Sequence, residues 1–431
     1  MRITDFWRND MYALAKKIFP ICRSITGKGV RETLEILKEV CSELEIYSIE
    51  SGTKVFDWTV PKEWNIEDAY IENEKGTRII DFKENNLHVV GYSEPVDRWV
   101  GRDELLQYVY TQPDQPDVIP YVTSYYVSRY GFCMTENMKR GLEKGRYHMV
   151  IKSSLSEGYM NWGEILFQGD TADEICFSTN ICHPSLGNNE ISGPVVLIYL
   201  AKWISTIKNR RFTYRFLFIP ETIGSIAYIS QNLEHMKQHI KAGFVVTCVG
   251  DDKNYSYVES RKGDTLADKV LRHILKWHYP KFNTYSFLKR GSDERQYCAP
   301  GVDLPFCVFC RSKFHEYKEY HTSKDDLDFI SAEGLGNSLE VLQKTVLLLE
   351  KNHKYRTSIL CEPQLGKRGL YPTIGQKNTY TDIKKIQNFI AYADGQADLI
   401  DISEKIEQSA IDMIPVVEKL LEEEIIELNN N

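Results

Sequence analysis

Residues 174–193 read Glu-Ile-Cys-Phe-Ser-Thr-Asn-Ile-Cys-His-Pro-Ser-Leu-Gly-Asn-Asn-Glu-Ile-Ser-Gly. The apolar run 174–179 is the length of a buried strand. A polar loop follows, and an apolar helix is expected from 191 to 207. The unit recurs downstream: strand 214–219 then Pro220-Glu221-Thr222 and helix 225–240, and strand 243–249 then Gly250-Asp251-Asp252 and helix 265–277. A last strand at 304–310 precedes a helix at 332–349, and a hairpin of 149–153 with 164–168 is expected ahead of the series. Strands alternating with helices predict an α/β fold, a mostly parallel sheet with helices on both faces. In such sheets ligands bind at the carboxyl ends of strands, which is where the polar clusters stand.

Upstream, Phe6, Met11, Leu14 and Ile18 mark an amphipathic helix with Thr4 as its cap; Val30, Leu34 and Leu37 mark a second, and 44–49 alternates like a strand. From 55 to 148 the texture changes to short β-like runs and a proline-rich stretch, and fifteen of these 94 residues are aromatic. This predicts a β-rich domain at 56–148, inserted into a core formed by 1–55 and 149–352. The segment 361–372 reads as a linker, followed by helices at 380–392, 400–406 and 410–423 with a turn at Asp394-Gly395. That spacing suits a small helical or winged-helix domain over 353–431.

The 431 residues are enough for about two to four domains. The net charge of −8 disfavours a nucleic-acid polyanion as partner. Residues 380–431 alone hold 4 Lys, no Arg and 12 Asp plus Glu. A DNA-reading domain needs a basic face, so docking or self-association is expected there and no nucleic acid. No apolar run approaches a membrane span, and the first residues form no signal-peptide core, so the expected compartment is the cytoplasm and no membrane partner is expected. Ten cysteines in a chain of this size do not form a disulfide framework; Cys307 and Cys310 read as core thiols of a strand.

Four clusters carry the candidate chemistry: Cys182-His183-Pro184-Ser185 with Asn188-Asn189-Glu190-Ile191-Ser192-Gly193; Pro220-Glu221-Thr222; Arg290-Gly291-Ser292-Asp293-Glu294-Arg295-Gln296-Tyr297; and Glu319-Tyr320-His321-Thr322-Ser323-Lys324-Asp325-Asp326. Two histidines at strand ends could share one metal, with a carboxylate from a third to activate its water. Taken singly, each cluster also has an ordinary structural explanation: a hydrogen-bonded His, a carboxylate at a helix N-terminus, capping aspartates.

Their order resembles the zinc aminopeptidase superfamily, which also contains glutaminyl cyclases. More closely, the chain is similar to bacterial aminopeptidase-like proteins found with polysaccharide-biosynthesis genes, which combine a zinc-exopeptidase-like mixed sheet flanked by helices, an inserted β domain and a C-terminal winged helix. The resemblance implies a metal site. His183 and His321 match its two histidines and Glu221 its general base. The bridging aspartate falls on Asn189, a glutamate ligand on Thr222 and the other aspartate near Thr247. With all three carboxylates replaced, a pair of zinc ions about 3.5–4 Å apart would lack the anions that offset their repulsion. The expectation is one zinc at most, on His183 and His321 with the Asn189 amide oxygen or Glu221 as third donor. Glu221 takes the proton from water, and Arg290, Asp293, Arg295 and Tyr297 line the substrate pocket. The implied activity is hydrolysis of a peptide or amide-containing substrate; the alternative is a metal-poor protein that binds a peptide, amino-acid or amino-sugar ligand without cleaving it. Trp58, Trp64 and Trp99 of the insert are candidates for stacking on a sugar ring, or are simply core.

Overall fold

The computed structural model describes residues 3–370 and 377–429; the side chain of Thr4, expected as a cap, and the end of the expected 361–372 linker lie outside the described residues. Contacts divide the chain into one unit of residues 1–267 and 283–340 and another of 268–282 and 341–431.

The first unit is built on an eight-stranded mixed sheet in the order Glu45–Glu50, Tyr159–Phe167, Thr213–Ile219, Glu174–Asn180, Ile240–Val246, Phe306–Cys310, Ser256–Val258, Asn283–Tyr285. The four middle strands, from Thr213–Ile219 to Phe306–Cys310, run parallel to one another. Every residue of Thr213–Ile219, Glu174–Asn180 and Phe306–Cys310 is buried, as expected of strands covered on both faces. Phe177 stacks between Phe216 and Phe244 at centroid distances of 5.3 and 5.2 Å, tying three adjacent strands. From Glu174–Asn180 the chain crosses to Thr213–Ile219 on one side and then to Ile240–Val246 on the other. The carboxyl ends of these strands therefore flank a topological switch point, a crevice where α/β sheets bind ligands.

The helix after the quoted stretch, Ser192–Ser205, is buried almost all round. Its start approaches the sheet so closely that a Cβ on Gly193 would lie 2.1 Å from Thr179 Oγ1 and 2.7 Å from the Val246 carbonyl oxygen. Gly193→Ala is expected to cost about 1–3 kcal/mol as an overpacked core position. The urea midpoint would show it, and an unchanged midpoint would mean that the helix does not sit this close.

A second, antiparallel sheet holds Arg78–Asp81, Glu63–Asn73, Arg146–Ser156 and Val96–Gly101, in that order. The expected hairpin of 149–153 with 164–168 does not form. Arg146–Ser156 pairs in the small sheet, whereas Tyr159–Phe167 pairs with Glu45–Glu50 and Thr213–Ile219 in the large one. The cause is the alternation of Tyr147, Met149 and Ile151, which joins the small sheet's core with Ala69, Ile71 and Val100. The small sheet thus runs to Ser156, past the expected boundary at 148.

The second unit contains a three-stranded sheet, Asp394–Asp398, Lys354–Thr357 and Ile426–Leu428, with the helices Lys377–Tyr392, Leu399–Lys405 and Ala410–Glu422. Asp394-Gly395, expected as a turn, opens a strand instead. Most of the helix Leu266–His278, expected in the core domain, belongs to this unit. The His273 ring bonds Glu404 and the backbone N–H of Ala410, and Lys269 bonds Asp398. Among the described residues no helix is long and apolar enough to cross a membrane.

Candidate metal and catalytic site

His183 and Glu221 stand just past the carboxyl ends of the adjacent parallel strands Glu174–Asn180 and Thr213–Ile219. His321 comes from the loop after Phe306–Cys310. The three converge on one cavity of about 340 Å³. His183 Nε2 lies 3.6 Å from Glu221 Oε2, and the two imidazole rings are 5.5 Å apart, tilted by 42°.

Each ring is oriented. The Nδ1 of His183 donates to Glu190 Oε2 at 2.6 Å, and Glu190 Oε1 accepts from the backbone N–H groups of Cys182 and His183. The buried guanidinium of Arg23 donates from Nε to the His183 carbonyl at 3.0 Å. With Nδ1 so engaged, Nε2 is the nitrogen left for the cavity. His321 is held at φ 55°, stacks on Tyr320 at 3.9 Å and accepts the Tyr121 N–H at its carbonyl. Its ring nitrogens have no hydrogen-bond partner among the described residues.

Burial works against a charged His183, but the Glu190 carboxylate and the adjacent Cys182 together outweigh it and hold the pKa well above the usual imidazole range. Burial and the neighbouring His183 charge push His321 down to about 2, leaving the neutral form a metal requires. Burial pushes Glu221 up to about 7 against the attraction of His183.

The expected residues separate into those that meet and those that do not. Arg295 lines the cavity with His183, Glu221 and His321. Asn189 is buried nearby in sequence but is not among the lining residues. Its backbone N–H donates to Asp325 Oδ2, and its Oδ1 is buried with no partner. Asp293 is fully buried, accepting at Oδ1 from the Thr222 N–H and Ser225 Oγ, so it supports the site from behind. Two expectations need correction. Tyr297 is a core residue, its hydroxyl bonded to Ser178 and its ring stacked on Phe306 at 4.1 Å. Arg290 is exposed and lies over Phe287. Neither reaches the cavity. Thr247 and Thr222, at expected carboxylate positions, are already engaged: Thr247 Oγ1 donates to the Asn189 carbonyl, and Thr222 Oγ1 accepts from Arg295.

Sequence reasoning missed Glu190 and the aromatic wall. Tyr121, Tyr125 and Tyr126 come from the proline-rich stretch of the insert, anchored where Pro120 bridges to Thr322 and Ile119 to Ser323. Of the three tryptophans weighed, only Trp58 lines the cavity; Trp64 is core, and Trp99 stacks on His148.

Cys182, His183 and Glu190 also form a cluster of metal-ligating types. Burial pushes the Cys182 thiol up to about 11, which opposes the thiolate a metal needs, and Glu190 already pairs with Nδ1. The donor set facing the cavity is two imidazoles, one of them backed by a carboxylate as metal-binding histidines usually are, beside Glu221; a cation there would take the place of the proton on His183 Nε2.

The fold has counterparts among known proteins. A curated Clostridium acetobutylicum protein, named for polysaccharide biosynthesis and an aminopeptidase-like domain, is 44% identical over 92% of this chain and 91% of its own. A crystal structure of a protein from the same organism superposes with a TM-score of 0.93 at 40% identity, covering 99% of this chain and 97% of that one. The zinc aminopeptidase of Bacillus subtilis has a TM-score of 0.58 at 10% identity, covering 80% and 94%, a likeness of fold alone. A winged helix-turn-helix family matches residues 353–428. Residues 12–352 match the family described as "Domain of unknown function (DUF4910)", and the chain belongs to that family.

Proposed function

We propose that the chain is a hydrolase of peptide or other amide bonds that works with a single zinc ion. The observation that carries this is the meeting of His183 Nε2, the free His321 ring and the Glu221 carboxylate in one aromatic-walled cavity. His183 and His321 would hold the ion, with the cavity-lining Glu221 or the buried, unpartnered Oδ1 of Asn189 as third donor. When bound, zinc supplies Lewis acidity toward a carbonyl and toward water. Glu221, half-buried beside His183, accepts the proton that water gives up and returns it to the leaving nitrogen. Glu190 fixes the His183 ring, and the tyrosine wall keeps bulk water from the reacting carbonyl. The engagement of Thr222 and Thr247 in protein hydrogen bonds supports one ion rather than two. The link to polysaccharide biosynthesis rests on the name of the Clostridium relative.

A second reading, ligand binding without hydrolysis, draws on the replaced carboxylates, and metal analysis separates the two. Zinc titration of chelator-treated protein is expected to saturate at about one ion per chain. Glu190→Gln removes the carboxylate behind His183 and is expected to lower zinc affinity by about 10–100-fold. Saturation at zero would favour the second reading, and an unchanged affinity in Glu190→Gln would mean that His183 is not a ligand.

A further inference from the structure

Arg295 is the one guanidinium among the residues lining the described cavity, and it is incompletely satisfied. One of its terminal nitrogens donates to Thr222 Oγ1 at 2.5 Å, while its Nε is buried with no partner. No carboxylate forms an ion pair with it among the described residues. Its immediate neighbour Glu294 accepts from the Gly291 and Ser292 N–H groups, and Asp293 directs Oδ1 to the Thr222 N–H and Ser225 Oγ, although Asp293 and Glu221 both feel the Arg295 charge. A guanidinium offers five N–H donors in a planar fork, and a half-buried one short of partners is poised to bind.

Its support is built, not incidental. Thr222 has φ 67° and ψ −77°, the centre of a γ-turn closed by the Ile223 N–H on the Glu221 carbonyl, a conformation that a β-branched residue rarely adopts. Asp293 and the first turn of the helix Ile223–His239 hold it there through its N–H and carbonyl. That conformation presents Thr222 Oγ1 to Arg295 directly beside Glu221. Strain of this kind persists where surrounding structure over-determines it.

A fixed cation at this place selects by charge. It repels a substrate ammonium and pairs with a carboxylate, in the bidentate geometry that makes arginine–carboxylate contacts strong. We infer that Arg295 binds a free carboxylate of the substrate, so that the site takes an N-acyl amino acid, or the carboxy-terminal residue of a peptide, in preference to a free amino terminus. This rests on the amide-hydrolase reading for the place of the scissile bond. The wall of Tyr121, Tyr125 and Trp58, the last edge-on to Tyr126 at 5.5 Å, suits an apolar or aromatic side chain on that residue.

The test is calorimetric and uses the metal-free full chain, with three probes: N-acetyl-L-phenylalanine, N-acetyl-L-phenylalaninamide and L-phenylalaninamide. The acid is expected to bind at least tenfold more tightly than its amide, and the free-amine probe most weakly. Arg295→Gln should bring acid and amide within about twofold, and Arg295→Lys should restore part of the difference. Equal binding of acid and amide by the wild type overturns the inference without recourse to any variant. So does discrimination that survives Arg295→Gln, or L-phenylalaninamide as the tightest probe. Because no metal is present, a failed zinc titration would sink the hydrolase reading while leaving carboxylate selection standing or falling by itself.

Discussion

Glu221→Gln is expected to lower the hydrolysis rate of the best-cleaved amide substrate by about 10²–10⁴-fold, the range for loss of a positioned general base. Zinc content should stay near one ion per chain. The substitution keeps the shape of the side chain and the bond from the Glu221 N–H to the Cys182 sulfur. It removes only the ability to take a proton at the oxygen 3.6 Å from His183 Nε2. The paired readout assigns the role. A rate that falls while zinc is retained makes Glu221 the base. A fall in both by similar factors makes it the third ligand and frees Asn189 from that part. A rate within about threefold of wild type would remove Glu221 from the chemistry altogether.

How much of this site the sequence revealed depends on what each residue's position encodes. His183 and Glu221 were legible because each directly follows an apolar strand, and parallel strands bring such positions together. His321 was legible only through its motif, since a long loop carries it. The hairpin failed for a different reason: alternation tells which face of a strand is buried but not which sheet buries it. Tyr297 and Arg290 were misplaced because 290–297 is a loop that tightens into one short helical turn, Glu294–Tyr297. Successive residues on a helix point about 100° apart, so Arg295 and Tyr297 face different surroundings. Glu190 stood within the quoted motif but was assigned no role. A signal was present: the helix that follows is apolar almost all round, from Pro194 to Ala201. An acid leading into such a helix has no solvent to face and must find a buried partner.

The largest stability effect is expected at Arg215, in the middle of the buried strand Thr213–Ile219. Its Nε and one terminal nitrogen donate to the two oxygens of Glu174 at 2.7 and 2.8 Å; the other donates to Glu164 and, at 3.1 Å, meets the Tyr228 hydroxyl. His235 adds a further contact to Glu174 at 2.7 Å. Arg215→Ala leaves two largely buried carboxylates without the cation they share, which typically costs about 3–5 kcal/mol. That is a large part of the roughly 5–15 kcal/mol by which domains are stable. The pH dependence identifies the cause. Burial raises the pKa of Glu174, but Arg215, with His235 behind it, outweighs burial and holds the carboxyl below its usual range. In the wild type this contribution is complete above the unfolded carboxylate range and is lost only as pH falls through the depressed folded value. In Arg215→Ala only the His235 contact is left to oppose burial, the folded pKa is expected to move above the unfolded one, and the mutant is then penalised most at neutral pH. Urea unfolding at pH 7 and pH 5 should therefore show a smaller difference between mutant and wild type at pH 5. A penalty independent of pH would mean that lost packing, not the stranded carboxylates, destabilises the mutant.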